Sequence, residues 1–129
     1  MEYLPVFKPG QAITLKASAT ITAGQIVVIT GVGTVGPAGA NAANWIGVAS
    51  TDAAVNDNVA IYADGVQSVT TSGTVTAGDV VVCAAAGAVS TLAAVTTPTA
   101  ADVTNTRGIV GVAISTATTG LKVRVKFDR

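Results

Sequence analysis

Apolar and polar residues alternate most regularly near the end of the chain. In residues 121–127 (LKVRVKF) the odd-numbered positions are apolar and the even-numbered positions are basic. Successive side chains of a β-strand point to opposite faces, so this segment predicts a strand with one buried and one solvated face. The predicted buried face consists of Leu121, Val123, Val125 and Phe127. Residues 58–62 (NVAIY) alternate similarly, and the apolar runs at 26–29 and 80–83 are typical of strands buried on both faces.

The strand pattern occurs twice along the chain. Residues 21–28 (ITAGQIVV) match residues 75–82 (VTAGDVVV) at a spacing of 54, and residues 46–49 (IGVA) match residues 110–113 (VGVA) at a spacing of 64. The second copy therefore contains a longer loop, which we place around residues 96–99 (TTPT). Together these patterns predict an all-β fold: a small, pseudo-twofold duplicated β-barrel or sandwich.

The duplication divides the chain into an arm and a domain. Residues 1–16 are predicted to form an extended N-terminal arm, because Pro5 and Pro9 disfavour helix and interior strand pairing. Residues 17–129 are predicted to form a single β-barrel domain of two repeats, about 17–70 and 71–129. Little helix is expected, with one short piece at residues 98–103 and Thr99 as its N-cap.

Composition argues against catalysis and cofactor binding. Half of the 129 residues are apolar, mostly Ala and Val, so the core is thin and self-association is expected. The chain contains no His, its only Glu is Glu2, and Cys83 is its single Cys, expected to be buried. We therefore predict no enzymatic activity, no metal, no cofactor and no small-molecule substrate. No apolar run approaches the ~18 residues of a membrane span.

Charge is balanced overall but unevenly distributed. The formal net charge is zero, which argues against binding of nucleic acid by bulk electrostatics. No Lys or Arg occurs between residues 17 and 106, so the cations lie near the chain ends. A solvated end strand explains this pattern, and so does a basic edge that meets an acidic partner or a neighbouring subunit.

Residues 31–36 (GVGTVG) formally satisfy the G-x-G-x-x-G pattern of dinucleotide-binding folds. That chemistry requires a helix directly after the glycines, so that its N-terminus faces the pyrophosphate. Here Pro37 and Gly39 follow at once, and strand character resumes at Trp45. We therefore interpret the motif as a glycine-rich loop.

Several segments together resemble the head-decoration (capsid cement) proteins of tailed bacteriophages. These are residues 4–10 (LPVFKPG), the two T-A-G-x-x-V-V turns, and residues 46–49 (IGVA) followed by 52–54 (DAA) and 59–66 (VAIYADGV). The resemblance implies a structural virion protein that binds the outer surface of the head as a homo-oligomer, with a trimer favoured. Its partner would be the major capsid protein, and the protein would be made in the host cytoplasm.

The candidate capsid or subunit interface combines the arm with the basic face of the last strand. It consists of Leu4, Pro5, Val6, Phe7, Lys8, Lys122, Arg124 and Lys126. An alternative function from another class is a phage-fibre or surface-layer module that recognises a receptor or glycan. In that case Trp45 or Tyr62 would provide the stacking platform.

Overall fold

A computed structural model describes residues 12–127 of the chain. Strands account for most of the regular structure in this range. They are β1 (Ile13–Ala17), β2 (Ile26–Gly31), β3 (Thr34–Pro37), β4 (Trp45–Ala49), β5 (Asn58–Tyr62), β6 (Gly65–Thr70), β7 (Val80–Cys83), β8 (Val89–Thr91), β9 (Ile109–Ala113) and β10 (Lys122–Phe127). One α-helix, α1 (Ala100–Asn105), and two 3₁₀ turns, Ala85–Gly87 and Thr106–Gly108, complete the described elements. The prediction of an all-β fold with little helix is confirmed.

The first five strands form a closed barrel in the order β1-β3-β2-β4-β5. Closure occurs because β1 pairs in parallel with β3 and antiparallel with β5. The formal G-x-G-x-x-G motif lies here: residues 32–33 are the turn of the β2–β3 hairpin. A strand therefore occupies the place where a phosphate-binding helix would begin.

The other five strands form a sheet in the order β6-β10-β9-β7-β8. Its register repeats that of the barrel: the isolated bridge between Ile21 and Ala53 recurs between Val75 and Ala117. In the first repeat the parallel pairing of β1 with β3 closes the barrel. At the equivalent place in the second repeat there is a single parallel bridge, between Thr71 and Val89. The same register irregularity interrupts β2 opposite β4 and β7 opposite β9.

The repeated T-A-G-x-x-V-V segments are turns that lead into β2 and β7. Gly24 and Gly78 have φ angles of 87° and 95°, a region in which a Cβ is disfavoured. In the second turn the Asp79 carboxylate accepts hydrogen bonds from the Thr76 N–H and the Thr91 hydroxyl. These two bonds hold the pKa of Asp79 below its ordinary value, because they favour the ionised carboxylate.

The repeated I/V-G-V-A segments place a glycine where two backbones approach closely. A Cβ on Gly47 would overlap the carbonyl oxygen of Tyr62, and one on Gly111 would overlap that of Lys126. Each glycine thus permits the following strand, β5 or β10, to pair tightly with β4 or β9.

Two clusters of buried apolar side chains stabilise the fold. The smaller lies within the first barrel, whereas the larger contains side chains from both repeats. Trp45 of the first repeat is 3% exposed and packs edge-on against Phe127 of the second, with ring centroids 5.4 Å apart. Its Nε1–H also donates to the carbonyl of Ile109. The larger cluster is therefore a core that the two repeats share.

The longer loop of the second copy is present between β8 and β9 and contains α1. Thr99 caps α1 as predicted: its side chain accepts from the Asp102 N–H, and the Asp102 carboxylate accepts from Thr99. These bonds lower the pKa of Asp102.

Two sequence-based details differ from the structure. The predicted arm boundary at residue 16 falls inside β1, and Leu121 precedes β10 with 59% of its surface exposed.

Candidate interaction surface

The basic side chains of β10 all lie on the solvent side of the second sheet. Along β10 buried and exposed residues alternate. Val123, Val125 and Phe127 are buried, whereas Lys122, Arg124 and Lys126 are exposed. The inner face of β10 is fixed by the shared core, so the outer face follows from strand geometry. Predicted site residues 122, 124 and 126 therefore share one face of one strand. Predicted site residues Leu4, Pro5, Val6, Phe7 and Lys8 lie outside the described residues.

Exposed aliphatic side chains accompany these cations. Lys126 pairs with Val66 of β6 on one side and with Val112 of β9 on the other, and Val112 pairs with Val80 of β7. Directly paired residues have their side chains on the same face. Val66 is 51% exposed, and the other two valines are 37–39% exposed. These residues form a row across four strands, in which one lysine lies among three exposed valines. We call this row, together with Arg124 and its partner Ser68, the outer sheet face.

Sequence reasoning missed the aliphatic part of this face. A signal was available in β6, where Val66 and Val69 are three residues apart and cannot both point to the core of a regular strand. The structure buries Val69 completely and exposes Val66. For Val112 no such signal exists, because Val110 has the same parity and is buried. The irregular pairing of β7 with β9 separates these two valines.

The cations of β10 have no acidic partner in the part of the chain that the structure describes. Among residues 12–127, Lys122, Arg124 and Lys126 make no ion pair and no side-chain hydrogen bond. Four carboxylates instead accept hydrogen bonds from backbone N–H groups of nearby turns and caps; they belong to Asp52, Asp57, Asp79 and Asp102. No carboxylate among the described residues therefore offsets the positive charge of the outer sheet face.

Lys122 differs from the other two cations in what its ammonium group approaches. A Cβ built on Gly24 would lie 2.9 Å from Lys122 Nζ and 3.8 Å from the carbonyl oxygen of Ser68. The Nζ therefore sits against the glycine turn of the first repeat, at a cleft of about 290 Å³ between the two repeats. We call this space the inter-repeat cleft.

Trp45 cannot serve as a glycan-stacking platform in this fold. Its indole is buried, with the ring edge against Phe127 and the N–H bonded to Ile109. That part of the alternative hypothesis is wrong, because a stacking platform needs an accessible ring face. Tyr62, the other proposed platform, is 48% exposed.

A second cavity of about 220 Å³ lies in the loop insertion of the second repeat. Its lining is mostly aliphatic and includes Leu92, Val95 and Val103. The Asp102 carboxylate at its edge is already bonded to Thr99.

Among residues 12–127, no group of three or more His, Cys, Asp or Glu side chains is arranged to hold a metal ion. No helix in the same range is long and apolar enough to span a membrane.

Comparison with known proteins connects this fold to bacteriophage heads. The phage cement protein family matches residues 7–127 of the chain. The solved structure of the head fiber gp8.5 N base in bacteriophage phi29 is similar, with a TM-score of 0.66 and 17% sequence identity. The likeness covers 91% of this chain and 92% of that one, and at this identity it concerns the fold. No curated protein matches the chain.

Proposed function

We propose a function on the premise that this chain belongs to the phage cement protein family. The protein binds the outer surface of a tailed-phage head and stabilises contacts between major capsid protein subunits. The protein is a structural protein of the phage virion. The observation that carries the finer proposal is the outer sheet face, where Arg124 and Lys126, which have no ion-pair partner among residues 12–127, lie beside exposed valines. Such a face combines apolar area for affinity with charge for orientation.

The proposed contact also includes the predicted arm residues, Leu4, Pro5, Val6, Phe7 and Lys8. A standard protein interface buries about 1,600 Å² in total, or about 800 Å² on each partner. We expect the outer sheet face and the predicted arm to supply this area together. We further propose that the protein acts as a homo-oligomer, with a trimer favoured, and that it has no catalytic role.

Cosedimentation with purified capsid shells tests the proposed function directly. We expect saturable binding, and we expect decorated shells to withstand higher temperature than bare shells before they release DNA or disassemble. A mass measurement of the free protein gives its oligomeric state. Absence of binding to shells at micromolar protein would contradict the proposal.

Removing the charges of the outer sheet face should weaken attachment. We expect the double variant Arg124→Gln, Lys126→Gln to bind shells about tenfold less tightly, with a shallower dependence on salt, because exposed interface charges mainly affect encounter and orientation. Thermal melting of the free variant should stay close to that of the wild type, since both side chains are exposed. Unchanged affinity at low salt would remove this face from the interface.

Deleting residues 1–10 tests the arm separately. We expect lower occupancy on shells and reduced heat resistance of decorated heads, because apolar arm side chains would no longer dock. Occupancy and heat resistance equal to those of the full chain would show that the arm is not part of the contact.

The alternative function, recognition of a receptor or glycan, now depends on Tyr62, a residue that is about half-exposed. Binding to a glycan array that is lost in Tyr62→Ala would favour it. A blank array would count against it.

A further inference from the structure

The inter-repeat cleft is built by groups from both repeats that are far apart in sequence. One wall is the turn at residues 22–25 of the first repeat, and the other is the turn at residues 85–88 of the second. Gln25 Nε2 donates to the carbonyl of Ala86 across this junction, at 3.0 Å. A Cβ on Gly87 would lie 2.7–3.0 Å from atoms of Gln25 and Ile26, so the two walls are in close contact.

Most polar groups around the cleft are satisfied inside the protein. Gln25 Oε1 accepts from the Thr22 N–H, and the N–H of Gly24 donates to the carbonyl of Ala49. Three side chains of the lining differ. Among the described residues, the Lys122 ammonium and the hydroxyls of Thr22 and Thr70 make no hydrogen bond to the protein. One lysine and two threonines without side-chain hydrogen bonds to the described residues thus line a cavity of about 290 Å³.

The duplication shows that this arrangement is specific to one position. In the second repeat Thr70 of β6 pairs with Lys122 of β10. At the equivalent place in the first repeat, Lys16 of β1 pairs with Asn58 of β5. The turn equivalent to that at Gly24 contains Gly78, and a Cβ on Gly78 would meet no atom within 4 Å. The second turn therefore has open space where the first has Lys122. Lys16 belongs to the equivalent strand pair but does not line the cleft.

We propose that the inter-repeat cleft is a socket for one carboxylate side chain, an Asp or Glu of the capsid protein to which this chain attaches. This inference rests on the proposed function and specifies the chemistry of its partner. A cleft lined by a single ammonium and two threonines offers the charge and the donor groups that one carboxylate requires. Arg124 and Lys126 do not line the cleft, so it lacks the several cations that a nucleic-acid backbone requires.

Affinity for purified shells, measured at low and moderate salt, tests the socket. We expect Lys122→Met, which keeps the aliphatic stem and removes the charge, to bind about tenfold less tightly with a shallower salt dependence. Lys122→Arg should stay within about threefold of the wild type. Thr70→Val, which removes a hydroxyl at constant shape, should weaken binding about threefold. The control Lys16→Met, with the same change in charge, should stay within about twofold.

The outcomes separate the socket from the proposed function. If the wild type binds shells and Lys122→Met binds equally well, the socket is wrong and the proposed function stands. If the wild type does not bind shells, the proposed function fails and the socket fails with it. A shift in the mass of the free oligomer with Lys122→Met, without a change in shell affinity, would assign the carboxylate to a second copy of this chain and overturn the proposal. Equal melting temperatures of the variants are required for each comparison.

Discussion

Trp45→Ala should lower the free energy of unfolding by about 3–5 kcal/mol, the usual cost of truncating a large buried aromatic side chain. Trp45 is 3% exposed, lies in the core shared by the two repeats and packs edge-on against Phe127. The substitution would leave a cavity between the repeats and remove the donor to the Ile109 carbonyl. Chemical denaturation followed by circular dichroism measures the effect, since Trp45 is the only Trp and fluorescence is lost with it.

Two further variants separate packing from hydrogen bonding at this position. Trp45→Phe retains an aromatic ring and loses the N–H donor, so part of the loss, about 1–2 kcal/mol, is expected. Tyr62→Ala truncates an aromatic side chain that is 48% exposed and should cost less than about 1 kcal/mol. A cost of Trp45→Ala no greater than that of Tyr62→Ala would contradict the shared core.

Gly111→Ala should destabilise the protein by about 3 kcal/mol or more, at the upper end of overpacking effects. The added methyl group would overlap the carbonyl oxygen of Lys126, which is backbone and cannot rotate away. Relief requires β9 and β10 to separate at the residues that position Lys126 and Val112 on the outer sheet face. We therefore expect a loss of shell binding in addition to a lower melting temperature.

Gly39→Ala is the matched control for this substitution. A Cβ on Gly39 would meet no atom within 4 Å, and its φ lies outside the positive range that disfavours other residues. Its unfolding free energy should therefore change by less than about 0.5 kcal/mol. If Gly111→Ala were as mild as Gly39→Ala, the close β9–β10 pairing would be incorrect.

The features predictable from the sequence are those with local causes. Alternation in residues 121–127 predicts which side of β10 is buried, because the side-chain period of a strand is fixed by its backbone. The glycine turns before β2 and β7 and the Thr99 cap of α1 are also local, since each depends on residues within one turn. The assignment of Leu121 to the buried face was wrong, because β10 begins one residue later.

The interaction surface could be predicted only in part. Exposure of Lys122, Arg124 and Lys126 follows from β10 alone, but their neighbours depend on which strands lie beside it. Val66 and Val112 flank Lys126 through pairings between segments more than 10 residues apart. The family resemblance noted in residues 4–10, the two turns and the segments at 46–66 is confirmed over residues 7–127.

The sequence by itself determined the β class of this protein, its repeated strand-and-turn pattern and the basic outer side of its last strand. Backbone periodicity and glycine conformation act over a few residues, so they can be inferred without knowing the rest of the fold. Only the tertiary structure decided that Trp45 joins the two repeats and that Lys122 faces the first-repeat turn at Gly24. Both depend on how the repeats pack against each other, which is set by the shape of a core formed from residues across the whole chain.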